Sequence, residues 1–204
     1  MSTQPSSDAS PTNGYRLNHF MLRISNPTRT LHFYTTLMGM RIVFTRNVGP
    51  ITVYCLGYLQ TASYRANPKT YAAETSKHEV LTSTLGLLEL VHFRTKEEDD
   101  GAEEGSGQAE ICTKSGDQGR LGFNHLGFTV LDVGATVHRL RGDVQVVKDV
   151  GERPNEVVPI TRWERQNGAS ERALSEGFGR LFKQLGFVRD PDGYLVELLP
   201  QVLR

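Results

Sequence analysis

The chain reads as an α+β fold made of two βαβββ modules, and three observations predict it. A histidine opens a short apolar strand in each half, in "NHFMLRI" (18–24) and again in "NHLGFTV" (124–130). A carboxylate sits inside a second apolar strand in each half, in "GLLELVHF" (86–93) and "GYLVELLP" (193–200). The spacing from His19 to Glu89 is roughly 70 residues, and from His125 to Glu197 nearly the same. Between these landmarks, the signals for one helix and further strands follow in the same order twice. Two imidazoles and two carboxylates repeated in this way suit one divalent metal.

The elements follow in order along the chain. Residues 1–14 are rich in Ser, Thr and Pro with almost no apolar side chains, which predicts a disordered leader. It carries no secretory signal. The first module occupies 15–93. In its first strand, alternation puts His19, Met21 and Arg23 on one face and Phe20, Leu22 and Ile24 on the other. Ser25-Asn26-Pro27 is a helix start, Leu31, Tyr34, Leu37 and Met38 recur at helical spacing, and Gly39 is a stop. Strands are expected over 41–45, 52–58 and 86–93, with a polar segment at 61–80 read as loop with a helical turn. On the last strand, Glu89 shares its face with Leu87 and Val91. A lone carboxylate among apolar side chains is costly to bury, and metal ligation offsets that cost.

Residues 94–120 are acidic and Gly-rich, and they read as a linker. Their clustered carboxylates lack the spacing of a calcium loop. The second module, 121–204, repeats the order with a strand at 124–130, a helix at about 132–141 with Val133, Val137 and Leu140 inward, and a strand at 144–148. An insertion at about 155–177 holds Trp163 and a short helix expected at 170–176. It reads as a lid or as a surface excursion. The chain closes with a strand at 185–189, the turn Asp190-Pro191-Asp192-Gly193 and the Glu197 strand.

Composition narrows the function classes. Of 204 residues, 38% are hydrophobic, enough for a real core, and the 23 Lys+Arg balance the 23 Asp+Glu. The neutral balance gives no pull toward nucleic acid or an anionic membrane. Cys55 and Cys112 are far apart and show no metal-type spacing, which points to a reduced, cytoplasmic setting. The apolar runs are too short to span a bilayer.

Taken in order, "NHFMLRISNPTRTLHFYTTLMGM", "LLELVH", "GFNHLGFTV" and "RDPDGYLVELLP" resemble glyoxalase I (lactoylglutathione lyase) of the vicinal oxygen chelate superfamily. The resemblance runs from about 17 to 202. It implies two βαβββ modules whose curved sheets form a cup around one divalent metal, with His19, Glu89, His125 and Glu197 at the four ligand positions. Zinc and nickel both suit mixed imidazole and carboxylate ligands. A fourth protein ligand favours redox-neutral chemistry over that of the related extradiol dioxygenases, which hold iron with two histidines and one carboxylate.

The reaction this implies acts on the hemithioacetal of a 2-oxoaldehyde and glutathione. A glutamate removes a carbon-bound proton, the metal stabilises the enediolate, and the proton returns to the neighbouring carbon. Glu197 is the first choice for that base and Glu89 the second. Arg23 matches the arginine of the family's M-L-R motif, suited to a substrate carboxylate. Other substrate positions depart from the pattern. Phe93 stands where the family reads asparagine, Leu121 stands where it has an arginine, with Arg120 next to it, and the basic loop survives as Arg180 and Lys183. Two readings therefore share the metal and differ in substrate. One is a lactoylglutathione lyase with a divergent glutathione pocket. The other is an isomerase, epimerase or lyase on a non-glutathione oxygenated metabolite, with Phe93, Leu121 and Trp163 forming a more apolar pocket. A third, non-enzymatic reading is a ligand-sequestering resistance protein. In the family, the two modules of a site come from one chain or from two chains of a dimer, and a homodimer is the expectation here.

Overall fold

The computed structural model describes residues 11–95, 122–152, 166–168 and 175–203. The expected leader, linker and insertion lie largely outside them, as do Leu121, Trp163 and Cys112. The described residues fall into two compact units, one within Met1–Arg23 and Gly39–Val91, the other within Ile24–Met38 and His92–Arg204.

The first sheet contains β1 (His19–Ile24), β2 (Arg41–Asn47), β3 (Ile51–Gly57) and β4 (Leu87–Phe93), in the order β1-β4-β3-β2. β2 and β3 form an antiparallel hairpin whose register shifts between Ile42 and Phe44. Gly49, at φ 84°, lets the chain turn between them, and Val48 N donates to Ile51 O at 2.8 Å. Alternation on β4 buries Leu88, Leu90 and His92 on one face while Glu89 stays half-buried on the other. β1 departs from the expected pattern. Leu22 and Ile24 are buried, but Phe20 is 46% exposed, so the packing face of this strand begins only at Leu22.

The polar segment before β4 is more ordered than its sequence suggests. It forms three short helices, α2 (Ala62–Ala66), α3 (Pro68–Thr75) and α4 (His78–Leu81). Thr61 caps α2, and its Oγ1 accepts from Tyr64 N at 3.2 Å. Asn67 caps α3 with Pro68 in the first turn, the signal already seen at Asn26-Pro27. α3 delivers Tyr71 to a buried cluster with Val43, Cys55 and Leu87. Gly57 makes room for it, since a Cβ there would stand 2.2 Å from the Tyr71 hydroxyl oxygen.

The second sheet contains β5 (His125–Val130), β6 (Val146–Lys148), β7 (Gly186–Arg189) and β8 (Leu195–Pro200), in the order β5-β8-β7-β6. The repeat inferred from the motifs is thus a repeat of strand order. β5 and β8 are parallel, β7 and β8 antiparallel, and β6 pairs antiparallel with β7. Helix α5 (Val133–Leu140), capped by Asp132, buries Val133, Val137 and Leu140 as its spacing predicts. Its valines lie against Gly186 of β7, where a Cβ would meet Val137 Cγ2 at 2.8 Å and Val133 Cγ1 at 2.9 Å. Lys148 is buried and donates to Asp149 O and Leu185 O, and burial lowers its pKa.

Helix α1 (Pro27–Leu31) groups with the second unit. Asn26 caps it, accepting from Arg29 N at 3.0 Å, and the chain then widens into a π-helical stretch, His32–Leu37, closed by Met38 N donating to Phe33 O at 2.9 Å. The extra residue per turn rotates the inward face. Thr30, Phe33, Tyr34 and Met38 are buried, whereas Leu31 and Leu37, expected inside, are only half-buried. This helix is pinned to the Asp190–Gly193 turn. Asp192 Oδ1 accepts from Ser25 N at 2.7 Å and Ser25 Oγ at 2.6 Å, its other oxygen accepts from Thr30 Oγ1, and the Tyr34 hydroxyl donates to Asp190 Oδ2 at 2.9 Å.

Helix α6 (Glu176–Phe182), capped by Ser175, precedes β7. Residues 170–174 of the short helix expected at 170–176 lie outside the described residues. Arg180 and Lys183, expected on a basic loop, sit instead in α6 and at its C-cap. Phe182 packs from α6 onto Leu185, Phe187 and Leu195.

Candidate metal centre

In each sheet the first and last strands are neighbours, and this brings each histidine beside its glutamate. His19 Nε2 lies 3.6 Å from Glu89 Oε2 on β1 and β4. On β5 and β8, His125 Nε2 lies 3.3 Å from Glu197 Oε2. The register accounts for the second pair. His125 stands opposite Leu195 and Gly127 opposite Glu197, so the two donors are two residues apart on one face of parallel strands. Both pairs keep water access, with side-chain exposures of 43% and 27% in the first and 34% and 15% in the second.

Distances and donor types test whether these residues fit a metal. Donors about 2.1 Å from a tetrahedral zinc lie roughly 3.4 Å from one another. The two observed separations fall on either side of that value. Imidazole nitrogen and carboxylate oxygen are donors that zinc and nickel accept. Gly127 faces the His125–Glu197 pair, where a Cβ would meet Leu199 Cδ1 at 3.3 Å and sit in ordinary contact with Glu197 Oε2 at 3.5 Å. Each unit supplies two donors, and among the described residues no group of three His, Cys, Asp or Glu side chains forms around either pair.

Apolar or weakly polar groups stand on one side of each pair. Phe187 stands directly across from Glu197 and edge-on to the His125 ring, with centroids 5.9 Å apart. In the first unit, burial and then the charge of Glu89 push the Cys55 thiol up to about 12, which puts that thiol within the field of the glutamate. The candidate substrate residues are placed differently from one another. Arg23 is exposed on β1, two positions beyond Met21 on the His19 face, and Phe93 is 47% exposed on the Glu89 face of β4. Arg180 is held in an exposed pair with Glu176, one turn earlier on α6, and Lys183 is exposed. Leu121 and Trp163 have no described position.

Two residues near the pairs had no role in the motif reading. Gly127 is one, visible in sequence only as the odd glycine of "NHLGFTV". Asn18 is the other, with its Oδ1 2.9 Å from His19 Nδ1. An asparagine precedes the histidine in both modules, but only Asn18 meets its histidine's ring, so the repeated letter did not reveal the contact.

Two sheets with the same strand order, each carrying one imidazole–carboxylate pair on its first and last strands, define a paired-βαβββ protein. Residues 16–198 match the Glyoxalase/Bleomycin resistance protein/Dioxygenase superfamily, and the chain belongs to it. Among its relatives, it is 26% identical over 184 residues to a lactoylglutathione lyase of Pseudomonas putida, covering 89% of this chain and 83% of that protein. It is 27% identical over 192 residues to glyoxalase I of Saccharomyces cerevisiae, covering 93% of this chain but only 44% of the yeast protein. The solved glyoxalase I of Leishmania major matches with a TM-score of 0.47 at 22% identity, covering 92% of this chain and 87% of that one.

Proposed function

We propose that this chain is a metal-dependent lyase of the glyoxalase I type, acting on the hemithioacetal of a 2-oxoaldehyde and glutathione. The observation that carries the reading is the pair of imidazole–carboxylate couples at equivalent positions of two sheets with identical strand order. The lactoylglutathione lyases among the relatives support it. His19, Glu89, His125 and Glu197 would hold one divalent ion, zinc or nickel. When bound, the ion acts as a Lewis acid for the oxyanion that develops as the substrate loses its proton.

The remaining steps belong to the protein. Glu197 takes the proton from one carbon through a carboxylate oxygen and returns it to the neighbouring carbon. Phe187 and Leu195, with half-buried Leu199, give Glu197 apolar neighbours on one side while the pair stays open to solvent on the other. Glu89 is the second candidate for the base. Arg23, exposed on the His19 face, would pair with a substrate carboxylate. The active form is a homodimer.

The test is a rate assay on metal-free protein reloaded with zinc or nickel, following S-lactoylglutathione formation from methylglyoxal and glutathione. Metal-dependent turnover should fall by about 10²–10⁴-fold in Glu197→Gln, the usual scale for loss of a general base. Near-normal turnover in that variant would remove Glu197 from the role.

A second reading keeps the metal and changes the substrate. Phe93 favours it, since an exposed aromatic ring on the Glu89 face replaces a polar contact with apolar surface. Metal-loaded protein with no turnover of the hemithioacetal would select this reading. The substrate would then be a non-glutathione metabolite with adjacent oxygens.

A further inference from the structure

We propose that Asn18 is a positioning residue that holds the His19 imidazole in its Nδ1–H tautomer and so presents a bare Nε2 beside Glu89. α4 ends at Leu81, whose carbonyl accepts from Thr84 N at 3.2 Å and keeps a second lone pair for another donor. Asn18 Nδ2 lies 2.8 Å from Leu81 O and 2.7 Å from Thr84 O. Only an NH₂ group satisfies two carbonyls, because an oxygen there would face two acceptors. The backbone at the end of α4 therefore fixes which way the amide points.

That leaves Oδ1 at the other end, 2.9 Å from His19 Nδ1. An amide oxygen only accepts, so Nδ1 carries the proton. In the neutral ring, the lone pair is then on Nε2, 3.6 Å from Glu89 Oε2. Two electron-rich atoms at that distance gain by sharing a cation, which is the geometry wanted of a ligand pair. One main-chain and one side-chain contact hold the arrangement together. Leu87 N donates to Asn18 O at 3.3 Å, and Arg16 Nη1 donates to Ser83 O at 3.3 Å. Through one side chain, the helical segment before β4 sets the chemistry of a residue on β1.

The second module does not repeat the device. Asn124 is exposed, and the buried Nδ1 of His125 has no hydrogen-bond partner among the described residues. The two halves of the repeat are thus unequal. His19 is set in advance by a hydrogen bond, whereas the His125 ring rests edge-on against Phe187.

The experiment is ¹⁵N spectroscopy of the histidine rings in metal-free protein, at a pH where the rings are neutral, with His19 assigned by its loss in His19→Gln. Wild-type His19 should be in the Nδ1–H form. A dominant Nε2–H form would overturn the proposal without any variant being needed. Asn18→Leu should move His19 toward the Nε2–H form and weaken zinc binding by about 10–100-fold, the usual cost of losing such an orienting partner. Asn124→Leu, the matching change in the other module, should alter neither. An unchanged His19 tautomer in a folded Asn18→Leu protein would refute the assignment. The zinc arm rests on the metal reading given above, and the tautomer arm does not, so a protein that binds no zinc would sink that reading while leaving the Asn18 result to stand or fall alone.

Discussion

Asp190 is a buried carboxyl in the turn that holds α1. The residue is 4% exposed, and burial pushes its carboxyl up to about 6, despite hydrogen bonds from the Tyr34 hydroxyl, Tyr194 N and Asp192 N. A carboxyl with a raised folded-state pKa favours the fold when protonated. That contribution is fully present below the unfolded value of about 3.8 and is lost as pH rises through about 6. Asp190→Asn keeps an oxygen for the two backbone donors and puts an amide against the Tyr34 hydroxyl, which can accept. The variant should therefore gain on the wild type by up to about 2–3 kcal/mol in urea unfolding at pH 7.5, since one pKa unit corresponds to about 1.4 kcal/mol. By pH 4.5 most of the gain should be gone. A gap independent of pH would show that Asp190 is not the group responsible.

The contact between α5 and β7 argues the same way from packing. Gly186 is tight because two β-branched side chains of α5, Val133 and Val137, approach its Cα face. Neither side chain can retreat easily, as Val137 is fully buried. Gly186→Ala should cost about 1–3 kcal/mol, the range for overpacking a filled core, read as a fall in thermal midpoint. A neutral effect would mean that α5 can slide off the sheet. This helix was readable from its sequence, because a capping aspartate and regular apolar spacing both pointed to the face it buries. α1 was only half readable. Its start at Asn26-Pro27 was plain, but a π-helical turn moves the buried face from Leu31 and Leu37 to Phe33, and no single-period pattern encodes that shift. Of the three helices between 62 and 81 the sequence reading holds only a helical turn within a loop, because they are short and mostly polar, although Asn67-Pro68 offers the same start signal. The His–Glu pairs were legible because a strand's two-residue period localises a side chain to one face from a few letters. Asn18 was not, since its partners Leu81 and Thr84 are remote in sequence and reach it through backbone carbonyls that no residue identity announces.

The duplication itself makes the last claim testable. β1 with β4, and β5 with β8, place one imidazole and one carboxylate on neighbouring strands at the same end of each strand order. Tightly held zinc takes three or four protein ligands, and a single pair supplies two. If the metal needs both pairs, the protein should bind one tightly held ion per chain, and either His19→Ala or His125→Ala alone should abolish tight binding. If instead each pair bound an ion by itself, the wild type would take up two per chain, and each variant would keep one. Equilibrium dialysis against zinc at stoichiometric protein, with metal counted by mass spectrometry, separates the two cases. A stoichiometry of two, or one retained ion in each histidine variant, would end the shared-centre reading and leave two independent surface sites. One ion lost in both variants would mean that the repeat is functional as a pair, each module supplying half of a ligand set that neither completes.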